Sequence, residues 1–149
     1  MKKIILILIL SSSTILAFAQ NKNEEAVKKV LKSYSDKLEK LDTVGIAALF
    51  IEKSNIYEGG SSEGTISHYL EHHLGPELKE FKSFKFSDYK VDVTTAGEYA
   101  FSTETYIYTI VSAKDGKESK SKGVATSVLK KINGNWKIVN THSSFRKSK

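Results

Sequence analysis

Two periodicities divide the chain. Up to about residue 80, apolar residues recur every three or four positions; beyond it they tend to alternate. Val27, Val30, Leu31, Tyr34, Leu38 and Leu41 form one stripe of a helix predicted over Asn21 to Leu41, with lysines and glutamates on the other face. Asn21 followed three residues later by Glu24 has the shape of a capping box at its start. Asp42 can cap a second short helix, Thr43 to Phe50, with Val44, Ala47, Ala48 and Phe50 available to pack. Ser54 to Tyr57 reads as a short strand, and Gly59-Gly60 as a turn. Thr65 can cap a third helix running to about His73. Gly75-Pro76 is expected to interrupt it, with Pro76 to Phe81 as one extra turn.

The rest of the chain is strand-like. Phe84 to Val93 alternates imperfectly, and Tyr99 to Val111 is long and rich in β-branched and aromatic residues. Ala113 to Lys117 is a turn. Ser121 to Lys131 and Asn135 to Phe145 flank Asn133-Gly134, a strong hairpin dipeptide. The last strand ends in Asn140, Thr141, His142, Ser143 and Ser144, where a buried strand would stay apolar. A sheet packed at one end and wet at the other explains this pattern. Helices grouped ahead of an antiparallel meander make the class α+β.

The first residues have the features of a targeting segment. Lys2 and Lys3 form a basic n-region, Ile4 to Leu10 an apolar core, and Ala17-Phe18-Ala19 a small-x-small cleavage site. Residues 1–19 are therefore expected to be a signal peptide cleaved after Ala19, leaving residues 20–149 as a single domain in the periplasm or secreted. Ser11 to Thr14 break the apolar run well short of the roughly 20 residues a membrane span needs, so no transmembrane anchor is expected. The chain has no cysteine, which excludes a lipid-anchored lipoprotein and any disulfide. Its net charge of +6 includes those two leader lysines, and much of the remaining excess sits in Lys114 to Lys122 and Arg146 to Lys149. Such clusters fit solvated hairpin tips and a tail; no nucleic-acid partner is expected.

The order of elements resembles the nuclear transport factor 2-like superfamily, and among its members the exported SnoaL-like proteins. The resemblance runs from about Glu24 to Ser144. It is carried by Asp42, Ala47 to Phe50, Gly59-Gly60, Gly123, Thr126, Val128 and the Gly134-x-Trp136-Lys137-Ile138-Val139 segment. It implies a strongly curved antiparallel sheet wrapped around three N-terminal helices into a cone, open at one end onto a pocket. It also implies homodimers formed through sheet faces. Such folds host isomerases, dehydratases, cyclases, binders and interaction modules, so residues in the cone must decide the function.

Several residues are candidates. His68-Tyr69-Leu70-Glu71-His72 matches the H-x-x-E-H inverted zinc-peptidase pattern, but such enzymes draw a further ligand from a larger helical domain that this chain lacks. On an ideal helix Ile66, Tyr69, Leu70 and His73 share the apolar side, which points His73 into the cone. It is either a pocket residue or a satisfied core histidine, with Glu77 as a carboxylate partner or a solvated charge. Strict alternation puts Trp136, Ile138, Asn140, His142 and Ser144 on one face, which makes His142 and Ser144 pocket-lining or else part of a fraying end. Ala100, Ser102, Glu104, Tyr106 and Tyr108 share another face. Inside a cone Glu104 would have a raised pKa and serve as a general base; on the convex face it would be an ordinary charge. Tyr57 and Glu58 belong to the pocket mouth or to an ordinary loop.

These readings favour an exported protein that binds a small, partly apolar molecule in the cone. Its contact residues would be His73, His142, Glu104, Tyr106, Tyr57, Ser144 and Trp136. The alternatives are an isomerase or lyase using a pocket histidine as general acid or base, a metal-binding protein with His73, His142 and Glu77 as ligands, and an interaction module. No phosphate loop or nucleotide fingerprint is present, and no cofactor is expected.

Overall fold

The computed structural model describes residues 2–148, with side chains from Gln20 onward. The expected signal peptide therefore lies outside the fully described residues. Helix α1 (Lys2–Glu39) buries Val27 and Leu31 completely, while Val30, Tyr34, Leu38 and Leu41 pack on the same core. Asn21 lies inside α1, so the expected capping box does not form. The second helix expected at Thr43 to Phe50 shrinks to one 3-10 turn, Ala47–Leu49. Gly45 breaks it with a φ of +77°. Asp42 instead accepts a hydrogen bond from the Val44 N–H at 2.8 Å, closing a turn. Ile46 fills the core in place of Val44, which is exposed.

Six strands form one sheet in the order β2-β1-β6-β5-β4-β3. They are β1 (Phe50–Glu58), β2 (Ser61–Gly64), β3 (Phe81–Ala96), β4 (Tyr99–Ser112), β5 (Glu118–Ile132) and β6 (Asn135–Lys147). All neighbours are antiparallel except β1 and β6, which run parallel. Asn133 and Gly134 both have positive φ, +49° and +81°, the pair of values that a type I′ hairpin turn requires. The sheet curves around α1 and the second helical segment, and the core lies between them. Among the described residues no helix is long and apolar enough to cross a membrane.

Among the irregularities of register, three single-residue insertions bear on the candidate residues. The first is in the second helical segment. Here α2 (Ile66–Tyr69) passes through a π turn (Leu70–Leu74) into α3 (Gly75–Lys79) without a break. Thr65 caps it as expected, accepting from the His68 N–H at 3.4 Å. Ser54 on β1 accepts from the Ile66 N–H at 2.9 Å and ties the segment to the sheet. Gly75-Pro76 does not stop the helix. Proline has no N–H, and its ring clashes with the carbonyl four residues back; the wider π turn accommodates both. The Gly75 N–H reaches Leu70 O, five residues back. A Cβ on Gly75 would lie 2.3 Å from that oxygen, so only glycine fits. The extra residue rotates the apolar face. Ile66 and Tyr69 are buried before it, Leu74 and Leu78 after it, and His73 is moved from the stripe to its edge.

The other two insertions are β-bulges. In β3, Ser87 pairs with Ile107 but Lys90 with Thr105, and Asp88 takes a φ of +51°. Phe84 and Phe86 face inward before the bulge; Tyr89, Val91 and Val93 take that side after it. In β6, Ile138 pairs with Leu129 but Asn140 with Val128, leaving Val139 as the extra residue. Trp136 and Ile138 face the core, and beyond the bulge Thr141, Ser143 and Phe145 inherit that side. The alternation that joined His142 to Trp136 is therefore broken, and His142 and Ser144 lie exposed on the outer face.

Candidate functional site

A cavity of about 120 Å³ opens within the cone. Leu31, Tyr34, Ser35 and Leu38 of α1 form one wall. The sheet forms the opposite one, with Phe84 and Phe86 on β3, Tyr106 and Tyr108 on β4, and Ala125 and Ser127 on β5. The aromatic rings touch one another. Phe84 stacks on Tyr108 at 5.5 Å between centroids, and Phe86 meets Tyr106 edge-on at 5.0 Å. Tyr106 lies across Gly123 of the neighbouring strand, where a Cβ would come within 2.1 Å of the ring. The missing side chain at Gly123 is what leaves room for Tyr106 to lie flat there.

Glu104 stands among these rings, 7% exposed. Its Oε2 accepts a hydrogen bond from the Tyr89 hydroxyl, which the β3 bulge turns inward. Burial lifts the Glu104 carboxyl above the usual carboxylate range, and the bond from Tyr89 offsets part of that. Burial also raises the Tyr34, Tyr69 and Tyr106 hydroxyls, which remain protonated donors. The arrangement is an apolar, aromatic chamber with a buried carboxyl in its wall. A carboxyl in that state can donate or accept a proton, or fix a polar group of a ligand.

A second group of ionisable residues lies at the rim. The Tyr69 hydroxyl donates to Glu58 Oε2 at 2.7 Å. His73 Nδ1 donates to Glu63 Oε2 at 2.9 Å, and its Nε2 is 3.7 Å from Glu58 and 3.9 Å from Glu77. Burial lowers the His73 pKa, but the bond to Glu63 and the charges of Glu58, Glu63 and Glu77 outweigh it, and the imidazole titrates above its ordinary value. Glu77 is raised, by burial first and by the charge of Glu58 second. His73 is thus bound to carboxylates at the edge of the cavity and does not line it.

The residues singled out in the sequence are therefore divided. Glu104 and Tyr106 line the cavity, as do Glu58 and Glu77 at its rim. Trp136 is buried in the core cluster, away from the cavity wall. Tyr57 and His142 are register partners on the outer face, with Ser144 beyond them. His73 and His142 lie on opposite sides of the sheet, so the metal set His73, His142 and Glu77 is not assembled. Among the described residues no three His, Asp or Glu side chains are arranged to hold a metal ion. Sequence reasoning missed Tyr89, Tyr69, Tyr34 and Glu63 as site residues. Tyr34 and Tyr69 were visible as members of the apolar stripes, where a tyrosine signals a hydroxyl that needs a partner. Nothing in Ser61-Ser62-Glu63-Gly64 announces a strand, and so Glu63 carried no signal.

A SnoaL-like domain profile matches residues 27–147. No protein of curated function matches the chain. Solved structures do. A nuclear transport factor 2-like superfamily protein from Salmonella enterica serovar Typhimurium superposes with a TM-score of 0.74 at 20% identity, covering 87% of this chain and 93% of the other. A provisionally named ketosteroid isomerase from Shewanella frigidimarina gives 0.67 at 28% identity, covering 80% and 94%. A provisionally named scytalone dehydratase from Novosphingobium aromaticivorans gives 0.67 at 17% identity, covering 85% of each. With the profile spanning most of its length, the chain belongs to the SnoaL-like family, and it shares its fold with the nuclear transport factor 2-like protein.

Proposed function

We propose that this protein binds a small, partly apolar molecule inside the cone. The observation that carries the reading is a mostly apolar and aromatic cavity with one buried carboxyl, Glu104, in its wall. A rigid chamber of this kind binds by excluding water from an apolar body while a few polar groups fix its orientation. Calorimetric titration with 2-phenylethanol tests it. Wild-type protein should bind, and Ala125→Leu, which extends a side chain into the cavity, should weaken binding at least about ten-fold, the worth of roughly 1.4 kcal/mol. Equal binding by the two proteins would place the ligand elsewhere.

A second reading is a proton-transfer enzyme of the isomerase or lyase type. It is favoured by the raised pKa of Glu104 and by the names of the Shewanella and Novosphingobium proteins. In it Glu104 takes the role that the sequence assigned to a histidine, because among the described residues no histidine lines the cavity. Turnover of any ketone or hydroxy-ketone substrate should then vanish in Glu104→Gln.

The reading includes export and pairing. The Lys2-Lys3 segment, the apolar run and Ala17-Phe18-Ala19 support a leader removed after Ala19, and the intact mass of the protein from its native host tests it. Tyr99, Phe101 and Val124 are 43%, 50% and 45% exposed on the outer sheet face, which supports a homodimer through that face. Light scattering on wild type and Phe101→Glu tests that.

A further inference from the structure

The charged groups on the cavity wall are all of one sign. Glu58, Glu77 and Glu104 line it beside the tyrosines, and among the described residues no lysine, arginine or histidine does so. The chain as a whole is basic, with 23 lysines and arginines against 17 acids, so its composition does not account for an acidic interior. The three glutamates come from β1, α3 and β4 and meet only around the cavity. Glu104 is buried, and only one of its oxygens is engaged: Tyr89 donates to Oε2, and among the described residues Oε1 has no hydrogen-bond partner. That second carboxyl oxygen, with no donor among the described residues, is free to accept one from a ligand. Around it stand Phe86, Tyr106 and Tyr108, whose ring faces carry negative charge density and attract cations.

We infer that the ligand is a small cation, an amine on an apolar or aromatic body, its ammonium held by Glu104 against the tyrosine rings. This rests on the small-molecule reading above and narrows its ligand class. A carboxylate or phosphate of the same size would meet three acids and no counter-charge. At the rim, the Glu58, Glu63 and Glu77 carboxylates outnumber the single charge His73 can supply, so the approach also favours a cation. Burial raises the Glu104 carboxyl above its ordinary value. An arriving ammonium favours the ionised carboxyl, so binding releases any proton that burial holds there.

Three probes with one body and different heads test this: 2-phenylethylammonium, 2-phenylethanol and 3-phenylpropionate, titrated calorimetrically at pH 7 in buffers of different ionisation enthalpy. The ammonium should bind about ten-fold tighter than the alcohol, and the propionate weakest of the three. Glu104→Gln should lose the preference for the ammonium over the alcohol. Propionate binding as tightly as the ammonium would overturn the inference, as would a Glu104→Gln protein that keeps the full preference. If alcohol and ammonium bind alike, the cation falls and the small-molecule reading stands. If none of the three binds, both fall.

Discussion

At the residue scale two raised groups, Glu104 and His73, make the same demand on pH from opposite charge states. Glu104 has a folded-state pKa above its ordinary 4.5, so the folded protein holds that proton more tightly than the unfolded chain does. Its contribution to stability is fully present below pH 4.5 and is lost as pH rises through the folded value. Glu104→Gln keeps an acceptor for Tyr89 and removes that loss. It should raise Tm at pH 7 by roughly 3–5 °C, the equivalent of about 1 kcal/mol, and the gain should vanish below pH 4.5. Melting curves across pH 4–8 measure both. A variant less stable than wild type at pH 7 would mean the carboxylate is stabilised there. His73 is also raised, above its ordinary 6.5, but as a base its stabilisation comes from the charged form. That stabilisation is present below pH 6.5 and lost as pH rises through the folded value. His73→Gln should therefore cost stability at pH 6 and nearly nothing at pH 9, with the difference damped because the ring is partly exposed. A cost independent of pH would assign His73 a packing role instead.

At the scale of elements, one-residue insertions decide what faces inward. The π turn depends on Gly75, whose N–H closes onto Leu70 O where no Cβ fits. Gly75→Ala should destabilise by about 1–3 kcal/mol, measured by urea unfolding, through forced displacement of backbone. It should also move Glu77 and Leu78, since both follow the turn; a fully stable Gly75→Ala would show that the helix can revert to α geometry around Pro76. These insertions also explain how much could be read from the sequence. The four long strands, the Asn133-Gly134 turn, the Thr65 cap and the α1 stripe follow from local pattern and were legible. So was the shared face of Glu104 and Tyr106, because β4 carries no bulge between them. His73 and His142 were misplaced because each lies beyond an extra residue, and a strict period carries its phase straight through such a residue. The bulge in β3 hid Tyr89 in the same way. A bulge at Val139 leaves no mark in Lys137-Ile138-Val139-Asn140, whereas Gly75-Pro76 does mark its site, as an irregularity whose outcome could be a stop or a wide turn.

At the scale of the molecule, the sheet has two edges and each is defended. β2 is four residues long and polar, and β3 presents Lys82, Lys85 and Lys90. The Phe86 N–H on β3 is covered by Glu39 Oε1 of α1 at 2.7 Å. The middle of the sheet is where distant parts of the chain join. β1 lies between β2 and β6, and Ile138 of β6, buried at 1% exposure, is the register partner of Phe50. Ile138→Ala should cost about 2–5 kcal/mol by urea unfolding, the range for emptying a well-packed core site. A cost below 1 kcal/mol would mean that the seam between β1 and β6 closes around the void.

The parallel placing of β1 against β6 has a consequence in time. The β3-β4-β5-β6 meander is built from neighbours in sequence and can assemble as a local unit. β1 has no partner but the short β2 until β6 exists, and β6 follows every other strand in sequence. A nascent polypeptide emerging N-terminus first must carry β1 without its long partner until the thirteen-residue β6 is free. Closure therefore waits for β6. The interval before β6 emerges is when this protein most needs a chaperone, and a ribosome that stalls anywhere before residue 135 releases a chain that cannot close its sheet.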